Sequence, residues 1–312
     1  MNREYELIAE ESGQRLDKYL AGEMTDLSRS RIKELVQAGE VLVNGKKSKV
    51  SYKVQKGDLI QVTVLPLEPL KLEAENIPLD IVYEDEDVIV VNKPQGMVVH
   101  PAAGHPSHTL VNALLYHTRD LADSPEGFRP GIVHRIDKDT SGLLMVAKNA
   151  AARESLEKQL AAKSNKRQYL AIVHGNFAEE EGTIDAPIGR NPKDRKQMTV
   201  VEKGKSAVTH FKVLEQYQGY SLVECQLETG RTHQIRVHMA YIGHPLAGDP
   251  LYGPRKTLPG HGQFLHAKTL GFEQPSTGEW LEFSVQLPDI FQQTVADLRK
   301  KRAKYDETLP YS

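Results

Sequence analysis

The sequence predicts an α+β protein, with a small N-terminal αβ module and a larger domain built on a mixed, mainly antiparallel sheet. After residue 79, β-branched runs outnumber helical patterns and do not alternate with them regularly, which argues against a doubly wound fold. A proline-rich acidic stretch separates this region from a compact basic one. We therefore place the module at 13–65, a linker at 66–78, the larger domain at 79–302 and a C-terminal tail at 303–312.

The composition indicates a soluble globular protein. The chain has 312 residues, of which 39% are hydrophobic. Its first segment is polar and acidic, and no run approaches the roughly 20 apolar residues that a membrane-spanning helix needs. The single cysteine, Cys225, excludes an intrachain disulfide. These features predict a cytoplasmic protein without a membrane partner, and the lack of an evident exposed apolar stripe predicts a monomer.

The N-terminal module is predicted to contain two helices followed by strands. Apolar residues recur at helical spacing within 14–20, and a second amphipathic pattern covers 28–39. A strand at 41–43 runs into an Asn-Gly turn, and a closing strand covers 59–65.

Positive charge is concentrated in this module. The formal net charge of the chain is -2, yet residues 14–64 hold ten basic and six acidic side chains. We expect Arg15, Arg29 and Lys33 to bind RNA, with a merely solvated charged surface as the alternative. The module resembles the S4 RNA-binding domain. The motifs that support this resemblance are Arg15-Leu16-Asp17, Ser28-Arg29-Ser30, Val43-Asn44-Gly45 and Gly57-Asp58.

The larger domain is predicted to be rich in strands. The predicted strands lie at 81–83, 88–92, 143–147, 169–173, 208–214, 221–227, 265–272 and 281–286. The predicted helices lie at 110–115 and 153–162, from about 232, and at 291–302.

The stretch 131–142 contains the most informative carboxylate of the chain. Asp137 follows the basic pair His134-Arg135 and precedes a Thr-Ser-Gly turn, after which an apolar strand begins at Leu143. An acid at the mouth of a buried strand and next to a cation is well placed to react and poorly placed for simple solvation. Asp137 is therefore a candidate catalytic carboxylate.

The segment 227–239 combines cations and histidines. A helix that starts at Gly230 places Arg231 in its first turn, where backbone N–H groups and cations together favour an anion. His233 and Arg236 fall on one stripe at helical spacing. The histidines at 233, 238 and 244 share no helical face, so we predict hydrogen-bonding or phosphate contacts and no metal site.

Tyr169 enters a predicted strand shortly after the basic pair Lys166-Arg167. From spacing alone, an ordinary half-buried strand tyrosine is the preferred interpretation.

Several motifs together resemble the A/D family of pseudouridine synthases that act on the large ribosomal subunit. They keep the family's order across essentially all of 79–300. The motifs are Asn92-Lys93-Pro94, His134-Arg135-Ile136-Asp137 through Ser141-Gly142, Tyr169, and Gly230 to His238. The stretch 99–106 and the run Lys138-Asp139-Thr140 resemble the D subtype in particular. Ile136 stands where leucine is more usual, which is a volume-conserving difference.

This resemblance implies the pseudouridine synthase fold, the conversion of specific uridines in large-subunit (23S) ribosomal RNA, and roles for individual residues. Asp137 is implied as the catalytic carboxylate, Tyr169 as the ring that stacks on uracil, and Arg236 as the partner that keeps Asp137 ionised and aligned. Arg135 is implied to help extract the nucleotide from its RNA context. Further RNA contacts are expected from His134, Arg231 and His233.

The chemistry of the reaction agrees with these side chains. The reaction breaks the N1–C1′ bond, rotates the base and rejoins it through C5 without redox change, so no cofactor is predicted, and no phosphate-binding or dinucleotide motif is present. A carboxylate must act as nucleophile or give equivalent electrostatic help, so it must be charged. Stacking on Tyr169 offsets about 1–3 kcal/mol of the cost of unstacking the base. Two questions stay open: whether Asp137 attacks C1′ or C6, and which group, Tyr169 being one candidate, removes the C5 proton.

Three alternatives differ in substrate or in class. A tRNA substrate keeps the enzyme, although the separate S4-like module favours a structured ribosomal target. A non-catalytic RNA-binding ribosome-assembly factor predicts that Asp137 is dispensable. A carboxylate-based nucleoside hydrolase predicts release of free uracil.

Overall fold

The computed structural model describes residues 3–27, 29–64, 72–102, 104–124, 129–194 and 196–308. The chain forms two compact units, Met1–Leu70 and Lys71–Ser312. The predicted linker at 66–78 is described only from residue 72, and Ser28 of the S4-like motif also lies outside the described residues. No described helix is long and apolar enough to cross a membrane.

The N-terminal unit is a small antiparallel sheet with two helices. Its elements are β1 (Arg3–Ile8), α1 (Leu16–Glu23), α2 (Arg29–Ala38), β2 (Val41–Val43), β3 (Lys46–Lys47) and β4 (Leu59–Val64). The strand order is β1-β4-β2-β3, with every pair antiparallel. Buried residues alternate along β4, and the helices cover that face with Leu16, Leu20 and Ile32. The unit therefore has a hydrophobic core of its own.

The larger unit contains the remaining elements. In chain order they are β5 (Asp80–Glu84), β6 (Val88–Lys93), α3 (Leu110–His117), β7 (Ser141–Ala147), α4 (Ala150–Ala162), β8 (Lys166–His174), β9 (Glu181–Asp185), β10 (Ile188–Arg190), β11 (Met198–Val200), β12 (Val208–Gln216), β13 (Tyr220–Leu227), α5 (Gln234–Tyr241), β14 (Leu265–Glu273), β15 (Trp280–Ser284) and α6 (Asp289–Thr308).

The central sheet has nine strands in the order β5-β6-β7-β14-β8-β13-β12-β9, with β15 paired to β14. Within the described part of the chain, the β7–β14 pair is parallel and the other pairs of this sheet are antiparallel. The predicted α+β class with a mixed, mainly antiparallel sheet is thus confirmed.

Strand β14 positions the functional region. Its Ala267 is in register with Gly142 on β7 and with Tyr169 on β8. A Cβ atom on Gly142 would lie 2.3 Å from the carbonyl oxygen of Ala267, and φ of Gly142 is +113°, so only glycine fits this close approach. The loop that contains Asp137 and the strand that contains Tyr169 are therefore brought to opposite sides of one central strand.

Several elements differ from the sequence-based expectation. Strand β1 precedes the predicted start of the module at 13, because its charged alternation offers few apolar residues as a signal. Strands β9, β10 and β11 were not predicted, since they are only three to five residues long and too short to show a periodic pattern. Helix α6 continues to Thr308, into the predicted tail at 303–312. Strong helix formers extend past 302, and no glycine or proline occurs before Pro310.

Candidate active site

A cavity of about 510 Å³ opens in the larger unit, and we call it the active-site cavity. Its walls are the loop before β7, the start of β8 and the connection from β13 to α5. All the site residues that the sequence predicted in the larger unit line it. They are His134, Arg135, Asp137, Tyr169, Arg231, His233 and Arg236.

Asp137 and Arg236 form an ion pair inside this cavity. Nη1 of Arg236 donates to Oδ2 of Asp137 at 2.9 Å. The Asp137 side chain is 25% exposed and the Arg236 side chain only 7%, so the carboxylate faces the cavity while the guanidinium supports it from behind. The arginine thus fixes the orientation of the carboxylate and leaves its other oxygen accessible.

A second carboxylate, Asp249, holds the opposite edge of Arg236. Nε and Nη2 of Arg236 donate to its two oxygens at 2.7 and 2.9 Å, and the Asp249 side chain is fully buried. Burial acts to lower the pKa of Arg236, but the hydrogen bonds and charges of Asp249 and Asp137 outweigh it and raise that pKa. Sequence reasoning assigned no role to Asp249. The only feature of the sequence that points to Asp249 is the presence of an acid within the Gly-Asp-Pro turn at 248–250.

His233 and Tyr252 complete the surroundings of the ion pair. His233 precedes α5 in the left-handed region, with φ of +57°, and its Nδ1 lies 2.7 Å from the Tyr252 hydroxyl. That hydroxyl accepts from the Met198 N–H, so it can donate to Nδ1 and leave the other ring nitrogen facing Asp137 at 3.9 Å. The Arg236 guanidinium also lies 5.1 Å from the centre of the Tyr252 ring.

The loop of Asp137 is fixed by Lys93 at the end of β6. Lys93 is only 1% exposed, and its ammonium donates to the carbonyl oxygens of Pro94, Met97 and Lys138. Burial lowers the pKa of Lys93 to about 7, against the opposing charges of Asp139 and Asp137. The motif Asn92-Lys93-Pro94 therefore contacts the backbone of the loop that contains Asp137.

Tyr169 is placed on β8 with its side chain against the cavity. It is 6% exposed, and burial raises its pKa above the usual value although Arg167 acts in the opposite direction. The phenol is therefore neutral near pH 7. A neutral planar ring at the wall of the cavity is suited to stacking on a base.

The remaining predicted residues occupy distinct places. Arg135 is exposed and donates to the Thr232 hydroxyl at 3.3 Å. His134 instead accepts a hydrogen bond at Nε2 from the Met145 N–H of β7, so only its other ring nitrogen is available to RNA. Burial lowers the pKa of His134 to about 3.

The position expected for Arg231 needs correction. Helix α5 begins at Gln234, so Arg231 lies before it and not in its first turn. The backbone N–H of Arg231 donates to the side chain of Gln234, while its Nε donates to the Ser206 carbonyl. The amide of Gln234 also binds Val208 and Thr209, which holds 229–231 as a turn against β12.

The three clustered histidines are dispersed. His238 lies between Thr209 and the Ala186 carbonyl, and His244 contacts the His174 carbonyl, whereas His233 faces the cavity. In the described ranges no group of three or more possible metal ligands occurs.

In the N-terminal unit, the predicted RNA-binding residues surround one acid. The Asp17 side chain is fully buried, and its oxygens lie 3.0 Å from Arg15, 2.9 Å from Arg29 and 3.9 Å from Lys33. We call these four residues the Asp17 cluster. Burial acts to raise the pKa of Asp17, but the two arginines lower it overall. The acid therefore stays ionised and gathers three partly exposed cations on one surface.

Comparison with known proteins places these two units in families. The S4 domain model matches residues 14–60, and the RNA pseudouridylate synthase model matches residues 87–241. An uncharacterized RNA pseudouridine synthase of Bacillus subtilis is 58% identical over 93% of this chain and 96% of its own length. The chain belongs to the RNA pseudouridine synthase family. Its predicted resemblance to this family and to the S4 domain is confirmed.

Further relatives and a solved structure agree with this membership. The ribosomal large subunit pseudouridine synthase D of Haemophilus influenzae is 42% identical and covers 98% of both chains. The protein of that name from Vibrio parahaemolyticus is 45% identical over 94% of this chain and 93% of its own. The structure of human RNA pseudouridylate synthase domain containing 1 superposes with a TM-score of 0.56 and 29% identity, over 72% of this chain and 96% of its own. The chain is thus an RNA pseudouridine synthase with an N-terminal S4 domain.

Proposed function

We propose that this RNA pseudouridine synthase isomerises specific uridines in large-subunit ribosomal RNA, with Asp137 as the nucleophile. The observation that supports it most is the Asp137–Arg236 ion pair, which presents an accessible carboxylate in a cavity walled by Tyr169. The similarity to proteins named ribosomal large subunit pseudouridine synthase D supports the ribosomal substrate.

Each cavity residue has a physical role in this proposal. A uridine that is flipped out of the RNA stacks on Tyr169, which offsets about 1–3 kcal/mol of the unstacking cost. Arg236 orients the Asp137 carboxylate through its hydrogen bond, while Asp249 and Tyr252 keep Arg236 in place. Arg135 is exposed at the cavity, where its side chain contacts the RNA backbone or occupies the space that the flipped base leaves in the RNA.

The S4 unit adds affinity in this proposal. The Asp17 cluster presents three cations around one acid, which gives a local excess of positive charge in a chain whose net charge is -2. Phosphate contacts of this kind strengthen binding without reading sequence. Target choice therefore depends on the shape of the RNA and on the cavity.

The test is to incubate the protein with unmodified large-subunit rRNA and, separately, with unmodified tRNA. Pseudouridine is mapped by carbodiimide adducts and reverse-transcription stops, and free uracil is measured by chromatography. We expect stops in rRNA that vanish with Asp137→Asn and persist with Asp139→Asn, a matched acid outside the cavity. Stops in tRNA alone would contradict the ribosomal substrate, and free uracil would indicate a hydrolase. Stops that survive in Asp137→Asn would contradict the nucleophile.

A further inference from the structure

Arg167, on β8, is a buried cation without a compensating acid. It is 6% exposed. Its Nη2 donates one long hydrogen bond of 3.4 Å to the Glu228 carbonyl, and its Nε has no partner. Among the residues that the structure describes, no carboxylate pairs with it. Because a buried unpaired charge is unfavourable for folding, its presence calls for a functional explanation.

Arg153 on α4 provides a contrast within the same unit. Its side chain is 11% exposed, and it pairs with Glu157 at 3.0 Å. It also donates to the carbonyl oxygens of Ile132 and Arg129. The Nε of Arg153, like that of Arg167, has no partner, but both terminal nitrogens of Arg153 are hydrogen-bonded at 3.0–3.2 Å, whereas Arg167 makes only its long bond from Nη2 to the described residues.

The guanidinium of Arg167 lies at the wall of the active-site cavity, beside Glu228 and Gly230, which also line it. Arg167 lines that cavity together with Asp137 and Tyr169. Since side chains alternate along a strand, Arg167 and Tyr169 lie on the same face of β8, roughly 7 Å apart. A Cβ atom on Gly230 would lie 2.7 Å from Nη1 of Arg167, so the missing side chain at 230 makes room for this guanidinium.

Negative charge develops on the base by either route open to Asp137. If the carboxylate attacks C1′, the electron pair of the N1–C1′ bond leaves with the uracil, and O2 and O4 share the charge. If it adds to C6, the C5=C6 electron pair moves onto O4, and the N1–C1′ bond must then break, with its electron pair left on the base, before C5 can bond to C1′. In both routes C5 then bonds to C1′, Asp137 is released as a carboxylate, C5 loses a proton and N1 gains one.

We propose that Arg167 donates to a carbonyl oxygen of the flipped uracil, where this charge collects. Fixed donors aimed at such an oxygen stabilise the transition state without reorganisation. A phosphate is the other oxygen source that a guanidinium binds, but Arg167 lies buried beside the stacking ring, while Arg135 offers an exposed guanidinium for phosphate. The inference rests on the roles proposed above for Asp137 and Tyr169.

The first test compares Arg167→Met and Arg167→Lys with the unchanged protein on an RNA whose modified uridine has been mapped. At saturating RNA we expect Arg167→Met to slow single turnover by about 10²–10³-fold, with Kd for the RNA within about twofold. Arg167→Lys should restore part of the rate, because it keeps the charge. The Tm of Arg167→Met should not fall, whereas that of Arg153→Met should.

The second test places 2-thiouridine or 4-thiouridine at the target position, since sulfur accepts hydrogen bonds more weakly than oxygen. We expect one of these substitutions to slow the unchanged protein and to have no added effect in Arg167→Met. If each thio substitution slows Arg167→Met by the same factor as it slows the unchanged protein, at both positions, the proposal is overturned.

Three other outcomes would also overturn it. The first is an unchanged rate in Arg167→Met. The second is an Arg167→Met protein with a raised Kd for the RNA, a smaller salt dependence of binding and a normal rate at saturating RNA. The third is a fall in the Tm of Arg167→Met that matches the fall in Arg153→Met. The second of these would assign Arg167 to phosphate. If the unchanged protein is inactive on that RNA, the proposed substrate is at fault, and the Tm comparison still separates a structural arginine from the one proposed here.

Discussion

At the scale of single residues, the site depends on one arginine held between two acids. Arg236 gives Asp137 a single hydrogen bond and gives Asp249 two. Asp249 therefore fixes the guanidinium plane, and that plane fixes the direction of Asp137. In the proposed reaction, a small rotation of Arg236 would move the Asp137 carboxylate away from the atom that it attacks, and such displacements cost on the order of 10²-fold in rate.

We predict that Asp249→Ala lowers kcat by about 10–100-fold with a smaller change in KM. It should also lower the free energy of unfolding by about 3–5 kcal/mol, because Arg236 keeps a buried charge with one partner fewer. Steady-state kinetics and urea unfolding measure the two effects. A double change of Asp249→Leu with Arg236→Met should recover stability but not activity; recovery of both would contradict a positioning role.

His134 gives a prediction on pH. Its pKa is about 3 in the folded chain against 6.5 for an ordinary histidine. Between these values the unfolded state binds more protons, so the free energy of unfolding must fall as the pH decreases from 6.5 to about 3. Glutamine keeps an acceptor for the Met145 N–H but does not titrate, so His134→Gln should make this acid dependence shallower.

Chemical unfolding at several pH values measures that slope. His105→Gln, at an exposed position, is the matched control and should leave the slope unchanged. Equal slopes in the unchanged protein and in His134→Gln would show that His134 is accessible to protons in the folded state.

The sequence located some site residues and missed others for a physical reason. Asp137, Tyr169 and Arg236 stand in motifs whose order matches a family, although spacing alone made Tyr169 an ordinary strand residue. Asp249 lies in a Gly-Asp-Pro turn, where aspartate is common because it satisfies backbone N–H groups. It does so here as well, accepting from Leu251 and Tyr252, so its bond to Arg236 needed three-dimensional information.

At the scale of elements, α1 and α2 meet at the Asp17 cluster. Lys33 is its loosest member, because its Nζ lies 3.9 Å from Asp17 and is beyond hydrogen-bonding distance. Lys33 can therefore turn to a phosphate with little loss of folding energy, whereas the arginines are hydrogen-bonded to the acid.

We predict that Lys33→Gln weakens RNA binding and reduces the slope of log Kd against log salt by about 0.7–0.9, the loss of one phosphate contact. Arg3→Gln removes one charge from the same unit outside the cluster and should leave the slope unchanged. Binding isotherms at several salt concentrations measure both. If Lys33→Gln and Arg3→Gln changed the salt slope equally, Lys33 would contribute to RNA binding only through the net charge of the unit.

Helices and long strands followed from the sequence, and so did the short strand β2, whereas the short strands β9, β10 and β11 did not. Strand β8 and helix α4 have patterns long enough to detect. Strands β10 and β11, of three residues each, form because Met198 and Val200 pack near Val237 of α5, a contact distant in sequence. Propensity cannot reveal a strand whose stability comes from such packing.

At the scale of the whole molecule, the two units have separate cores. Among the described residues, the core cluster of the N-terminal unit runs from Tyr5 to Val64, and those of the larger unit begin at Leu72. Each unit therefore has a hydrophobic core of its own.

We predict that a chain starting at residue 72 folds and keeps its single-turnover rate at saturating RNA within a few-fold. Its Kd should rise and its salt dependence should decrease, because the cations of the Asp17 cluster are removed. Calorimetry and quench kinetics with the mapped RNA measure these properties. A shortened chain that folds but has lost its rate at saturation would show that the S4 unit acts in the chemical step.

The place of β14 in the sheet has a consequence for how the protein is made. One half of the sheet is formed by β5, β6 and β7, and the other half by β8, β13, β12 and β9. Strand β14 lies between these halves, although it is the last but one described strand of the chain. During synthesis, both halves can pair internally before residues 265–273 leave the ribosome, but the edges of β7 and β8 stay open until then. The joining contacts, such as Ser141 with His266, span 125 positions, so closure of the sheet should be a late and slow folding step. A nascent chain that stalls in this interval exposes two unpaired edges, and aggregation should begin there.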